Sequence, residues 1–155
     1  MRCIVTKRAI ALMMASLALA MNVQAGERGT PAEAKAMLEK AVAHYKAVGR
    51  KQALADFNSK KAPFSDRDLY VFCIGPDRSM VANGAYPSFV GQSVDVLKDA
   101  NGKALGKSLI DAAAPAGGGS VQYPHINPVS RKPEPKMSFV QKVGEDVCGV
   151  GAYRD

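Results

Sequence analysis

Leu69-Tyr70-Val71-Phe72-Cys73-Ile74, then Gly75-Pro76-Asp77-Arg78, then Ser79-Met80-Val81-Ala82-Asn83 is the stretch on which the fold turns. The first six residues are apolar or aromatic and rich in β-formers, which predicts a strand buried on both faces. Gly75 to Arg78 supplies turn chemistry, and Ser79 to Asn83 returns as a second, shorter strand. The two make a hairpin. No helical periodicity survives here, so this is where the chain changes from helical to extended structure.

Upstream of the hairpin, Thr30-Pro31-Ala32-Glu33 places an N-cap hydroxyl, a proline at the first helical position and a glutamate three residues after the cap, a capping box. Ala34, Met37, Leu38, Ala41, Val42, Tyr45 and Val48 follow at steps of three and four, which predicts an amphipathic helix with one core-facing stripe. Gly49 interrupts it, and Gln52 to Phe57 adds a further turn or two. Downstream comes an irregular stretch from Gly84 to the turn Asp99-Ala100-Asn101-Gly102, then a short helix over Lys103 to Ala114. Gly117-Gly118-Gly119 reads as a flexible linker. Strands are predicted at Ser120 to Ile126, Lys136 to Val143 and Val147 to Tyr153. Between the first two lie Pro128, Pro133 and Pro135, residues excluded from a central strand. Five strands and two or three helices in this order describe an α+β domain with an antiparallel sheet.

At the N-terminus, Arg2, Lys7 and Arg8 precede an uncharged apolar run from Ala9 to Met21 that ends in Val23-Gln24-Ala25. This predicts a secretory signal peptide over residues 1–25, cleaved near Ala25. At 13 residues the run is shorter than the roughly 20 a membrane-spanning helix needs. The expected product, residues 26–155, is one periplasmic or secreted domain. Loss of the leader lowers the net charge from +7 to +4, with 18 basic against 14 acidic residues interspersed along the chain. That pattern is a solvated surface and gives no nucleic-acid footprint. Cys73 and Cys148 alone remain. Two cysteines in an oxidising compartment suggest one disulfide, the other reading being two buried thiols.

His44 and His125 are the only histidines, so metal and catalytic-triad chemistry have few groups to draw on. No H-E-x-x-H or C-x-x-C pattern occurs, and the glycine run lacks the lysine of a phosphate-binding loop. No cofactor, metal site or catalytic residue is expected, and the chain is read as a non-enzyme. Binding has better support. A period of two places Val121, Tyr123 and His125 on one face of their strand, and Lys136, Ser138 and Val140 on one face of the next. An ammonium and two hydroxyls converging on a concave sheet suit a small carboxylate. The candidate ligand-binding residues are Tyr86, Tyr123, His125, Lys136 and Ser138.

The order of segments is itself informative. Leu69-Tyr70-Val71-Phe72 and its turn are followed by Tyr86-Pro87, Val90-Gly91-Gln92, Asp99-Ala100-Asn101-Gly102 and Gly119-Ser120-Val121-Gln122-Tyr123. Pro135 to Val140 and Gly149-Val150-Gly151-Ala152-Tyr153 complete the set. From about Ala34 to Asp155 the chain resembles the single Cache family of bacterial extracellular sensor domains. It departs from that family at Ala85-Tyr86-Pro87, where His-Pro is usual. The resemblance implies a long N-terminal helix packed with a five-stranded antiparallel PAS-like sheet, and a pocket for small acids, amines or amino acids. It puts Cys73 and Cys148 on neighbouring first and last strands, so that a bridge fits, and implies a homodimer paired along the first helix. With no membrane helix after Tyr153, the expectation is a free periplasmic binding subunit. It would report a small organic ligand to a separate sensor kinase, chemoreceptor or transporter. The alternative is a secreted protein–protein interaction module without a small ligand.

Overall fold

The computed structural model describes residues 28–154. The expected signal peptide, residues 1–25, and Asp155 lie outside the described residues. Helix α1 spans Pro31–Val48, and its capping box forms as read. Thr30 Oγ1 accepts from the Glu33 amide at 3.2 Å, and Glu33 Oε2 accepts from the Thr30 amide at 2.7 Å, so two otherwise orphaned N–H groups are satisfied reciprocally. The stripe from Ala34 to Tyr45 is buried. Val48 is 41 % exposed, because the chain turns at Gly49 before that residue reaches the sheet. Helix α2 follows at Arg50–Asn58, with Ala53 and Phe57 inward.

The strands are β1 (Ser65–Asp66), β2 (Leu69–Ile74), β3 (Met80–Asn83), β4 (Gly119–Ile126), β5 (Pro133–Val143) and β6 (Asp146–Tyr153). The sheet is antiparallel in the order β3-β2-β6-β5-β4, with two-residue β1 pairing the start of β2 as a sixth strand that the sequence pattern did not reveal. One face packs on α1 and α2 through Leu69, Val71, Cys73, Val143, Cys148, Val150 and Ala152. Full burial of each large aliphatic side chain there contributes about 1.5–3 kcal/mol. Phe72, Ile74 and Val140 face the other way. They pack under the segment between β3 and β4, together with Met80, Val94, Leu105 and Leu109.

That middle segment holds two short 3-10 turns, Pro87–Phe89 and Val94–Val96, and helix α3 at Gly106–Ala112. Its backbone is tied down at both ends. Met80 N donates to Gln92 O at 2.9 Å and Val94 N to Arg78 O at 2.8 Å, while Ala100 N reaches Pro124 O at 2.9 Å. These bonds hold a largely exposed connection against the sheet, with Val94, Leu105 and Leu109 as its buried anchors.

Two expectations are corrected. Pro133 and Pro135 belong to β5, opposite Ile126 and Pro124. They are accommodated because β6 ends level with Lys136, and because Pro124 and Pro135 form a pair whose carbonyls point out of the β4–β5 ladder. Pro124 O accepts from Ala100 N, and Pro135 O from Arg154 N at 2.8 Å. A residue facing outward has no rung to lose with its missing N–H. The glycine run is a close approach and no flexible linker. A Cβ on Gly118 would lie 2.1 Å from Val140 O, and the residue has φ +81°.

Cys73 and Cys148 stand directly opposite each other on β2 and β6 and form a disulfide. Both are on the helix-covered face, 0 % and 1 % exposed. Nearby, fully buried Asp146 accepts from Tyr45 Oη at 2.8 Å and from Arg50 Nε and Nη2 at 2.9 and 3.1 Å. Hydrogen bonds to a charged partner each contribute about 1.5–3 kcal/mol, and this set pins the α1–α2 junction to the turn that starts β6. Burial, and then the Asp146 carboxylate, push the Tyr45 hydroxyl up to about 12. Among the described residues no helix is long and apolar enough to cross a membrane.

Candidate functional site

Between the sheet and the middle segment lies a cavity of about 370 Å³. Strand alternation decides its floor: with Val71 and Cys73 turned to the helices, Tyr70 and Phe72 must face the cavity, as Tyr123 and His125 do from β4. Asn83 at the end of β3, Tyr86, Phe89 and the exposed Lys98 complete the rim. Tyr70 and Tyr86 meet edge-to-face with centroids 5.8 Å apart, and Tyr86 meets Phe89 likewise at 5.9 Å. The walls are therefore largely aromatic, with a few polar groups, as small-ligand sites commonly are.

Three of the five sequence-predicted residues, Tyr86, Tyr123 and His125, line this cavity. The other two share its face of the sheet and lie one layer back. Ser138 is fully buried, and its hydroxyl pairs with Tyr123 Oη at 2.7 Å. Lys136 is 4 % exposed, and its Nζ stands 5.1 Å from the Tyr70 ring centroid and 4.6 Å from that of Tyr153. These cation–π contacts are the ammonium's partners; no hydrogen bond or ion pair to it forms among the described residues. Burial holds its pKa down at about 8, against a partial upward pull from the Asp68 carboxylate.

Gly151 makes room for this arrangement. A Cβ there would come within 2.6 Å of Ser138 Oγ and 2.9 Å of Lys136 Cε, so the lysine stem crosses β6 over a residue without a side chain. Tyr153, next on that face, bonds His125 Nδ1 at 2.9 Å. Burial, reinforced by the Lys136 charge, pushes the His125 pKa below its ordinary value. Burial raises the Tyr70, Tyr123 and Tyr153 hydroxyls, which therefore stay protonated at neutral pH. Asp68 accepts from Gly29 N at 2.5 Å through Oδ1, while its buried Oδ2 has no partner among the described residues.

Sequence reasoning did not single out Tyr70, Asn83 or Lys98. Tyr70 was legible from the period of two once Cys73 is assigned to the opposite face. Asn83 and Lys98 gave no signal, since nothing local distinguishes a wall residue from a turn or surface residue. His44 behaves as helix packing: its Nε2 meets Asp56 Oδ2 at 2.7 Å and its ring lies 4.8 Å from that of Phe64.

No curated protein matches the chain. Among solved structures, a methyl-accepting chemotaxis protein from Vibrio parahaemolyticus is similar in fold, at 23 % identity and TM-score 0.65 over 80 % of this chain and 88 % of that one. A periplasmic sensor domain of a chemotaxis protein matches at 26 % identity and TM-score 0.58, covering 77 % of this chain and 87 % of the other. A Cache chemosensory domain whose structure addresses carboxylic acid recognition matches at 23 % identity and TM-score 0.57, covering 78 % and 86 %. The family described as Single Cache domain 2 matches residues 7–154, and the chain accordingly belongs to the single Cache domain family.

Proposed function

We propose that this protein is a periplasmic sensor unit that binds a small carboxylate and passes the signal to a membrane partner such as a chemoreceptor or sensor kinase. One observation carries the reading. The Lys136 ammonium is buried beside an aromatic-walled cavity, forms no ion pair among the described residues, and is only partly compensated by the Asp68 carboxylate. A buried charge that is only partly compensated costs free energy in the empty protein, and a ligand carboxylate would offset that cost on binding. In this reading Tyr86, Tyr123 and His125 contact the ligand, and Ser138 orients the Tyr123 hydroxyl. The same ammonium disfavours amine ligands. The reading takes residues 1–25 as a cleaved leader and 26–155 as the secreted domain, with no enzymatic activity. The similar fold of a Cache chemosensory domain whose structure addresses carboxylic acid recognition supports the ligand class.

A thermal-shift screen of the purified protein against small carboxylates, amino acids and amines tests this. Carboxylates are expected to raise the midpoint, by the equivalent of about 2.7 kcal/mol at a hundredfold excess over Kd. A rise with amines alone, or with nothing in the panel, would remove the proposal and favour an interaction module.

Two copies are proposed to pair along α1, whose exposed residues include Ala32, Ala36, Ala43 and Ala47, small enough for close helix approach. Light scattering is expected to give twice the monomer mass; a monomer at high concentration would remove this part.

A further inference from the structure

The polar groups of the cavity wall are not interchangeable, and Tyr153 sorts them into donors and acceptors. Its hydroxyl lies 3.1 Å from the carbonyl oxygen of Ile126 and 2.9 Å from Nδ1 of His125. A carbonyl accepts and never donates, so the single phenolic proton goes to Ile126. The contact with His125 must then run in the other direction, with the proton on Nδ1. Burial and the Lys136 ammonium keep this imidazole neutral. A neutral imidazole protonated on Nδ1 presents Nε2 as a bare acceptor, and no described residue donates to it.

Asn83 has the opposite character. Its Oδ1 accepts from the Ala85 amide at 3.1 Å and the Tyr86 amide at 2.8 Å. Those two bonds fix the orientation of the side-chain amide and leave Nδ2, a double donor, without a partner among the described residues. Asn83 is 5 % exposed and lines the same cavity as His125.

We infer that the cavity selects small acids that also carry a hydroxyl group, with His125 Nε2 accepting the hydroxyl proton and Asn83 Nδ2 donating to a ligand oxygen. This rests on the carboxylate reading above and narrows it. An unsubstituted acid leaves Nε2 desolvated and unpaired, and a keto acid sets one lone pair against another. A ligand ammonium could donate too, but the Lys136 charge on the same face repels it. Sites organised around a hydroxyl reject the analogue that lacks it much more strongly than an apolar wall rejects one methylene group.

Titration calorimetry with propionate, 2-hydroxypropionate and 2-oxopropionate near neutral pH compares three acids of equal carbon count. The hydroxy acid is expected to bind at least about tenfold more tightly than either of the others. That preference should shrink toward unity in Tyr153→Phe, where His125 loses the group that fixes its proton. Side-chain nitrogen shifts of His125 in the unliganded wild-type protein give a second readout, with Nδ1 expected to be the protonated nitrogen. Propionate binding as tightly as the hydroxy acid overturns this inference and leaves the carboxylate reading intact. Failure of all three acids overturns both, and an imidazole protonated on Nε2 overturns the donor–acceptor assignment.

Discussion

Lys136→Met is expected to weaken the binding of small carboxylates strongly while raising the stability of the empty protein. The two effects have one cause. Methionine keeps most of the apolar stem that crosses Gly151 but removes an ammonium whose pKa burial has lowered from 10.5 to about 8. A shift of that size corresponds to about 3 kcal/mol of strain against the charged form at neutral pH. Part of it is offset by the Tyr70 and Tyr153 rings, so a net gain of about 1–3 kcal/mol is expected in thermal or urea unfolding. Loss of the charge-assisted contact should weaken carboxylate binding by roughly a hundredfold. A variant that is both less stable and still binds would assign Lys136 to packing alone.

The pH dependence follows with a definite sign. The folded protein releases the Lys136 proton near pH 8 and the unfolded chain only near its ordinary value, so between these pH values the unfolded state holds more protons. Stability from this group therefore rises with pH from about 8 to about 10 and is flat below, and the rise vanishes in Lys136→Met. Carboxylate affinity moves the other way, because it needs the ammonium: from its value near neutral pH it should weaken about tenfold by pH 9. The partial upward pull of the Asp68 carboxylate is already contained in the Lys136 value, and the other groups facing the ammonium titrate outside this window. Tyr70 and Tyr153 are held protonated above it, and the His125 pKa lies below it.

Reduction of the Cys73–Cys148 bridge should lower stability by about 4 kcal/mol, the loop-closure value for a 75-residue separation. The bridged loop runs from β2 to β6 and contains β3, the whole middle segment, β4 and β5, which is nearly all of the cavity wall. Urea unfolding with and without reductant measures the effect. The reduced form should also show a larger m-value, since its unfolded chain is less compact. Equal unfolding free energies in both forms would overturn the loop-closure account.

The parts of this molecule that local chemistry writes plainly are those carried by neighbours in sequence. Thr30 and Glu33 cap α1 from three residues apart, Gly75 to Arg78 turns a hairpin, and Gly144-Glu145-Asp146 turns another. The alternation of β4 and β5 put Tyr123, His125, Lys136 and Ser138 on one face without reference to any partner strand. Prolines at 133 and 135 misled the reading for the complementary reason. Their cost depends on whether a strand lies beside each N, and that is settled by where β6 stops.

From its sequence alone the chain determined its α+β class, the order of its main elements and the faces that β4 and β5 present, and it left the cysteines open between a bridge and two buried thiols. The class, the order and the faces follow from short-range periodicity, capping and turn residues, and from the resemblance that their order carries. Only the tertiary structure decided that Lys136 lies behind the cavity between two tyrosine rings, that Asn83 and Tyr70 form part of the wall, and which His125 nitrogen is left as an acceptor. Each depends on side chains brought together from β2, β3, β4, β5 and β6. Desolvation and proton sharing are properties of that assembled neighbourhood, and no spacing along the chain encodes them.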